Sequence, residues 1–138
     1  MTQAGFFAAT LLIAAIVAIY STITQPFPLQ PKRRFAKVVY VIDGDTLVFD
    51  RVKQPIRLWG INAPEKDEDD YREARITLVR IVMNKRVSHV ELGDDRYKRI
   101  VARLFLDDGR EVNKLMIEAG QTTEACRFSG GFYGQCQN

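Results

Sequence analysis

Two clusters of polar residues stand close together in the first half of the chain: Asp43-Gly44-Asp45-Thr46, and Arg57-Leu58-Trp59-Gly60-Ile61-Asn62-Ala63-Pro64-Glu65. Asp45 offers a carboxylate, Asn62 an amide oxygen, Arg57 a planar guanidinium and Glu65 a second carboxylate. The residues between them read as strand, turn, strand, and a hairpin of that kind brings Asp45 beside Asn62 and Glu65. Oxygen ligands, an arginine and a spare glutamate converging on one spot are the parts needed to hold a hard cation against a phosphate diester and activate a water. Taken singly, each part is ordinary: Asp-Gly-Asp is a common turn, Arg57 a solvated strand residue, Glu65 a surface acid beside a proline. The combination and its order carry the reading.

These residues need a scaffold, and the chain supplies one after an uncharged start. Residues 1–31 contain no charged side chain. Gly5–Thr24 is a mostly apolar run of the roughly 20 residues that span a bilayer as a helix, and residues 1–24 are read as a signal or membrane-anchor segment. No basic residue precedes the run and no A-x-A triplet ends it, which favours an uncleaved anchor. Residues 25–34 form a linker, with three prolines in Gln25–Pro31 followed by Lys32-Arg33-Arg34. The basic cluster points to the cytoplasm by the positive-inside rule, whereas two cysteines further on point outward; the outward orientation is preferred.

Residues 35–138 read as one domain, α+β and mainly β. Phe35–Ile42, Thr46–Phe49, Ile56–Trp59, Val87–Leu92 and Ile100–Leu106 are rich in β-branched, aromatic and aliphatic residues and read as strands. Gly60–Pro64 is expected to leave the sheet. Tyr71–Asn84 carries helical periodicity, with Asp69 or Asp70 as cap, and Val112, Leu115, Met116 and Ala119 stripe a second helix ended by Gly120. Three strands, a helix, two strands and a helix fit a five-stranded OB-fold barrel with two or three short helices, preceded by the N-terminal apolar helix. His89 and Trp59 read as structural, Trp59 as a wall of the barrel.

The composition is that of a globular domain, 46% apolar and 27% charged. A net charge of +3 permits a nucleic-acid partner without requiring one. Cys126 and Cys136 are the only cysteines. They either close a ten-residue loop as a disulfide, which needs an oxidising compartment, or stay as free thiols. With one histidine and no C-x-x-C they do not read as a metal site. Phe128, Phe132 and Tyr133 pack over the barrel or stack on bases.

A third cluster, Asp95-Arg96-Tyr97-Lys98-Arg99, is followed by Val101-Ala102-Arg103 and, past an Asp-Gly turn, by Val112-Asn113. With all three clusters in order, the chain resembles the staphylococcal nuclease-like (thermonuclease) family over nearly all of residues 36–125. The resemblance implies an OB-fold nuclease that uses calcium to hydrolyse DNA or RNA, leaving 3′-phosphate ends. It assigns Asp45, Asn62 and the Ala63 backbone carbonyl to the metal, with Asp43 and Thr46 supporting Asp45. It assigns Glu65 to the attacking water, Arg57 and Arg99 to the scissile phosphate, and Arg96 and Tyr97 to a neighbouring one.

The chain departs from the family pattern in three places. Asn62 stands where the family has a second aspartate, Lys98 where it has a glycine, and Glu65–Asp70 is strongly acidic, either a solvated loop or a cation attractor. The rival to an exported, monomeric, calcium-dependent nuclease is a catalytically silent OB-fold module that binds nucleic acid through a degraded metal site. A membrane-surface domain using Lys32-Arg33-Arg34 accounts for the anchor but not for the motifs.

Overall fold

The stretch Arg34–Val41 opens the domain as β1, and the exposure pattern of its second half, Val38–Val41, shows how an all-apolar run becomes one wall of a barrel. Val38 and Val41 point inward and are buried, while Val39 and Tyr40 between them are both exposed. A bulge makes this possible: Val38 faces Phe49 and Tyr40 faces Val48, leaving Val39 as an extra residue with no partner. The computed structural model describes residues 32–136. The expected anchor over 1–24 and the proline-rich part of the linker, Gln25–Pro31, lie outside the described residues. Among those described, no helix is long and apolar enough to cross a membrane.

After β1 come β2 (Thr46–Phe49), β3 (Ile56–Leu58), β4 (Ile61–Asn62), α1 (Tyr71–Val82), β5 (Arg86–Asp94), β6 (Ile100–Leu106), α2 (Val112–Glu118), β7 (Thr123–Glu124) and α3 (Cys126–Ser129). Five strands close a barrel in the order β1-β2-β3-β6-β5, with β5 returning to β1. All pairings are antiparallel except β3 with β6, so the barrel is mixed. Three short helices complete the described fold. Leu47, Phe49, Ile56, Leu58 and Leu104 fill the interior, and Leu78, Val82 and Met116 from α1 and α2 join the same apolar cluster.

The expected strands and helices form, with differences at their ends. β3 stops at Leu58 rather than Trp59: the Trp59 N–H makes the last ladder bond, to the Ala102 carbonyl, and Gly60 then turns with φ of 73°. Trp59 is therefore not a barrel wall; its ring leaves the strand and packs against Phe132 and Tyr133 at 5.4 and 6.0 Å between centroids. Gly60–Pro64 does not simply leave the sheet: Ile61 and Asn62 pair with Glu124 and Thr123 in a second, two-stranded sheet. Asp70 stands at the cap of α1 without a side-chain cap bond. Gly120 adopts the left-handed φ of 69° that its place after α2 requires. His89 is buried against Phe49, with Nε2 3.2 Å from Glu91 Oε1.

Candidate active site

The turn Asp43–Asp45 is the first piece of the site, and α1 fixes it in place. Arg75 Nε donates to the Val41 carbonyl at 3.0 Å and the Tyr71 hydroxyl donates to the Ile42 carbonyl. Gly44 must be glycine here: a Cβ would lie 2.7 Å from the Cβ atoms of both Ala63 and Ala74. The Asp43 carboxylate closes the turn by accepting from the Asp45 N–H at 3.0 Å. The turn, the helix and the Ala63 loop are thus packed against one another with no spare volume.

Asp45 is buried and fully engaged. Its Oδ1 accepts from the Thr46 hydroxyl at 2.9 Å, and its Oδ2 from the Ala63 N–H at 2.7 Å. The Arg57 guanidinium lies 3.0 Å from the same Oδ2. Burial pushes the Asp45 carboxyl up to about 6, against the pull of Arg57. At neutral pH the carboxyl is still mostly ionised, and any cation beside it favours the charged form further. Burial likewise lowers the Arg57 pKa, and Asp45 opposes the shift.

Arg57 joins the two clusters. Thr46 faces Arg57 across β2 and β3, which sets the guanidinium beside Asp45. Its Nη1 also donates to the Leu58 carbonyl, and Nη2 donates to Asn62 Oδ1 at 3.0 Å. One carboxylate oxygen and one amide oxygen therefore converge on a single positive group. Both are hard oxygen donors, the kind calcium takes, but they are few and carry one negative charge between them. The donor set fits a hard cation in kind, with water left to complete the coordination.

The third cluster forms the facing wall. Parallel pairing sets Ile56 opposite Ile100 and Arg57 opposite Val101, so the turn before β6 stands beside Arg57. Asp95 organises that turn, accepting from the N–H groups of Tyr97 and Arg99 and from Arg99 Nε and Nη2 at 2.7 Å each. Burial works against the Asp95 charge, and these hydrogen bonds outweigh it and hold its carboxyl below the usual range. Lys98 occupies the left-handed region with φ of 61°, the conformation a glycine would adopt freely. Arg96 donates to the Tyr97 hydroxyl at 2.6 Å, and the guanidiniums of Arg96 and Arg99 both lie against the Tyr97 ring.

Arg57, Asn62, Arg96, Tyr97 and Arg99 line one open cavity of about 670 Å³. Asp45 and Ala63 stand behind Arg57, outside the lining. Glu65 is exposed three residues past Asn62; its N–H donates to Glu68 Oε2, and its carboxylate makes no hydrogen bond among the described residues. The acidic stretch Glu65–Asp70 is an exposed loop of turns leading into α1.

Asn113, which had no sequence-assigned role, and the cysteine pair expected as a disulfide or as free thiols support this arrangement. Asn113, fully buried, accepts from the Leu104 N–H and donates to the Trp59 carbonyl at 2.8 Å, tying β6 and the end of β3 to α2. The signal was an asparagine inside an apolar helical stripe. Cys126 and Cys136 are bonded, with 5.6 Å between their Cα atoms. The loop they close lays Arg127 and Phe128 along the third side of the cavity, beside Ala125 just ahead of it, while Tyr133 reaches back to donate to Glu111, itself gripped by Arg103. Phe132 packs on Trp59 and Tyr133, so of the three tail aromatics only Phe128 faces the cavity.

The family model described as staphylococcal nuclease homologue matches residues 55–130, more than half of the chain. The matched stretch holds Arg57, Asn62, Ala63, Glu65 and Arg96–Arg99; Asp45 stands ahead of it. An uncharacterized endonuclease of Escherichia coli is 41% identical over 86 residues, 61% of this chain and 56% of that protein. The succinoglycan biosynthesis protein ExoI of Rhizobium meliloti is 33% identical over 108 residues, 70% of this chain and 56% of its own. The probable endonuclease LCL3 of Phaeosphaeria nodorum is 32% identical over 103 residues, 68% of this chain and 35% of its own. The chain thus spans about half the length of the first curated relatives it matches.

Proposed function

The chain belongs to the staphylococcal nuclease homologue family, and from that premise we propose that it is a calcium-dependent endonuclease hydrolysing DNA, with RNA as a second substrate, to 3′-phosphate ends. The observation that carries the reading is the Arg57 guanidinium held between Asp45 and Asn62, at 3.0 Å from each, beside a cavity that also presents Arg96, Tyr97 and Arg99. Attack of water on a phosphodiester builds negative charge on the phosphorus-bound oxygens. Arg57 and Arg99 offer paired planar donors to that charge. Arg96 and Tyr97 hold a neighbouring phosphate.

Glu65 takes the proton of the attacking water, a role that contributes about 10²–10⁴-fold. Its exposure on the loop beyond Asn62 leaves it free to do so once a substrate lies against the cavity. Asp45, Asn62 and the Ala63 carbonyl would hold calcium, with Asp43 and Thr46 fixing Asp45. When bound, calcium supplies positive charge to the phosphate and lowers the pKa of a coordinated water. The barrel order, with its one parallel pairing, supports an OB-type fold. The apolar stretch Gly5–Thr24 and the disulfide support export or membrane anchoring outside the reducing cytoplasm.

A second reading, an OB-type module that binds nucleic acid without cutting it, is favoured by one observation: Arg57 already takes an oxygen from each of Asp45 and Asn62. The discriminating experiment titrates calcium against chelator with single-stranded DNA and the full chain. The nuclease reading expects calcium-dependent cutting that vanishes in Glu65→Gln, with products bearing 5′-hydroxyls that accept a kinase label. Bound but uncut DNA at every calcium level would select the binding module instead.

A further inference from the structure

We propose that Arg127 is a further substrate-binding residue, gripping a phosphate of the polynucleotide beyond those held by Arg57, Arg99 and Arg96, and that Glu124 and the Cys126–Cys136 bridge position it. The inference rests on the nucleic-acid reading above and extends its site to the third side of the cavity.

The guanidiniums lining that cavity differ in what already holds them. Arg57 already has Asp45 and Asn62 as partners, and Arg99 has Asp95. Arg96 is turned to the Tyr97 hydroxyl. Arg127 is exposed on the opposite rim, and among the described residues no carboxylate lies within ion-pair distance of it. The Phe128 ring lies 6.0 Å from its guanidinium carbon. An exposed, unpaired arginine is unremarkable by itself. What sets this one apart is the effort spent on the segment that carries it.

That segment, α3, has four residues, far too few to hold a helical turn in water unaided. It is held from both sides. Glu124, immediately ahead, is buried, and its carboxylate accepts from the Ser129 hydroxyl at 2.6 Å and from the N–H groups of Tyr133 and Gln135 at 2.8 and 2.7 Å. The bridge from Cys126 to Cys136 closes the same loop. The Ala125 N–H donates to the Gly60 carbonyl at 2.8 Å, and β7 pairs with β4, so the loop is anchored on the strand that carries Asn62. A buried carboxylate with every bond spent inside one loop, plus a covalent closure, fixes where Arg127 stands relative to Asn62 and Arg57. A surface loop with no ligand to meet has no need of that definition.

A phosphate contact has a signature that a structural role lacks. Each contact with a single strand releases counterions and adds about 0.7 to the steepness of log affinity against log salt. The test measures anisotropy of a labelled single-stranded DNA oligonucleotide with the full chain in mild detergent, with chelator present to prevent cutting, over a range of salt. In Arg127→Gln, affinity at low salt should drop several-fold and the slope should shrink by about 0.7. Arg127→Lys should restore the slope, and Lys114→Gln, a charge change on α2, should leave it intact. Reducing the bridge in the wild type should shrink the slope as Arg127→Gln does, and the two changes together should add nothing. Wild-type binding with an unchanged slope in Arg127→Gln overturns the inference and leaves the proposed function standing. An Arg127→Gln effect of the same size in oxidised and reduced protein overturns the positioning half. Failure of the wild type to bind even at low salt overturns this inference, and the calcium titration of cutting then decides the proposed function separately.

Discussion

An amide oxygen and a carboxylate oxygen can both accept a hydrogen bond from a guanidinium, yet they differ by a whole charge, and a divalent cation feels that difference most. At position 62 the structure displays the first fact: Asn62 Oδ1 accepts from Arg57 at 3.0 Å, alongside the Asp45 pairing. Two unit charges about 4 Å apart interact by roughly 1–4 kcal/mol between water and a protein surface. Asn62→Asp is therefore expected to tighten calcium binding by roughly tenfold or more, read by calorimetric titration of calcium rather than by activity. An unchanged titration would place the cation away from Asn62. At this scale the sequence was informative wherever function needs a residue type at a fixed offset, as with Asp45, Arg57 and Asn62. It was silent where a polar side chain serves main-chain atoms brought in from elsewhere. Asn113 bonds to Leu104, nine residues back, and to Trp59, fifty-four residues back, and neither partner leaves a local trace.

Elements obey the same division. The five barrel strands were legible from their β-branched, aromatic and aliphatic residues between turn signals, and the two longer helices from their apolar spacing. β4 and β7 are two residues each, too short for any alternation, and the flanking Gly60 and Pro64 read only as a break. Their pairing nonetheless anchors the tail to the site. The doubled exposure of Val39 and Tyr40 was equally hidden, since an all-apolar run does not say where its bulge falls. What makes the Asp43–Asp45 turn dependable is packing between elements, and Gly44 is where that can be tested. A methyl group there would sit 2.7 Å from the Cβ atoms of Ala63 and Ala74, one on the loop after β4 and one on α1. Neither neighbour has a flexible end that could swing aside. Gly44→Ala should cost about 1–3 kcal/mol by overpacking, measured as a lowered denaturant midpoint with unchanged slope. A stability equal to wild type would mean that α1 does not clamp the turn.

Across the whole domain, closure of the barrel and closure of the tail are separate events. The ring β1-β2-β3-β6-β5 is complete without any residue beyond Leu106. The tail adds the bridge, the Glu124 hydrogen bonds and the packing of Phe132 and Tyr133 on Trp59. Glu111 links the two, accepting from Tyr133 on one side and from Arg103 on the other. Cross-linking two cysteines ten positions apart removes roughly 2–3 kcal/mol of freedom from the unfolded chain. Reduction should therefore lower the unfolding free energy by about that amount, a shift of roughly 10 °C for a domain of this size. The barrel should survive it: far-UV circular dichroism should be nearly unchanged at room temperature, and hydrogen exchange should rise in 123–136 while β5 and β6 stay protected. Global unfolding on reduction would instead mean that the barrel depends on the tail, and that the loop bearing Arg127 is part of what folds the protein rather than a support set beside a finished scaffold.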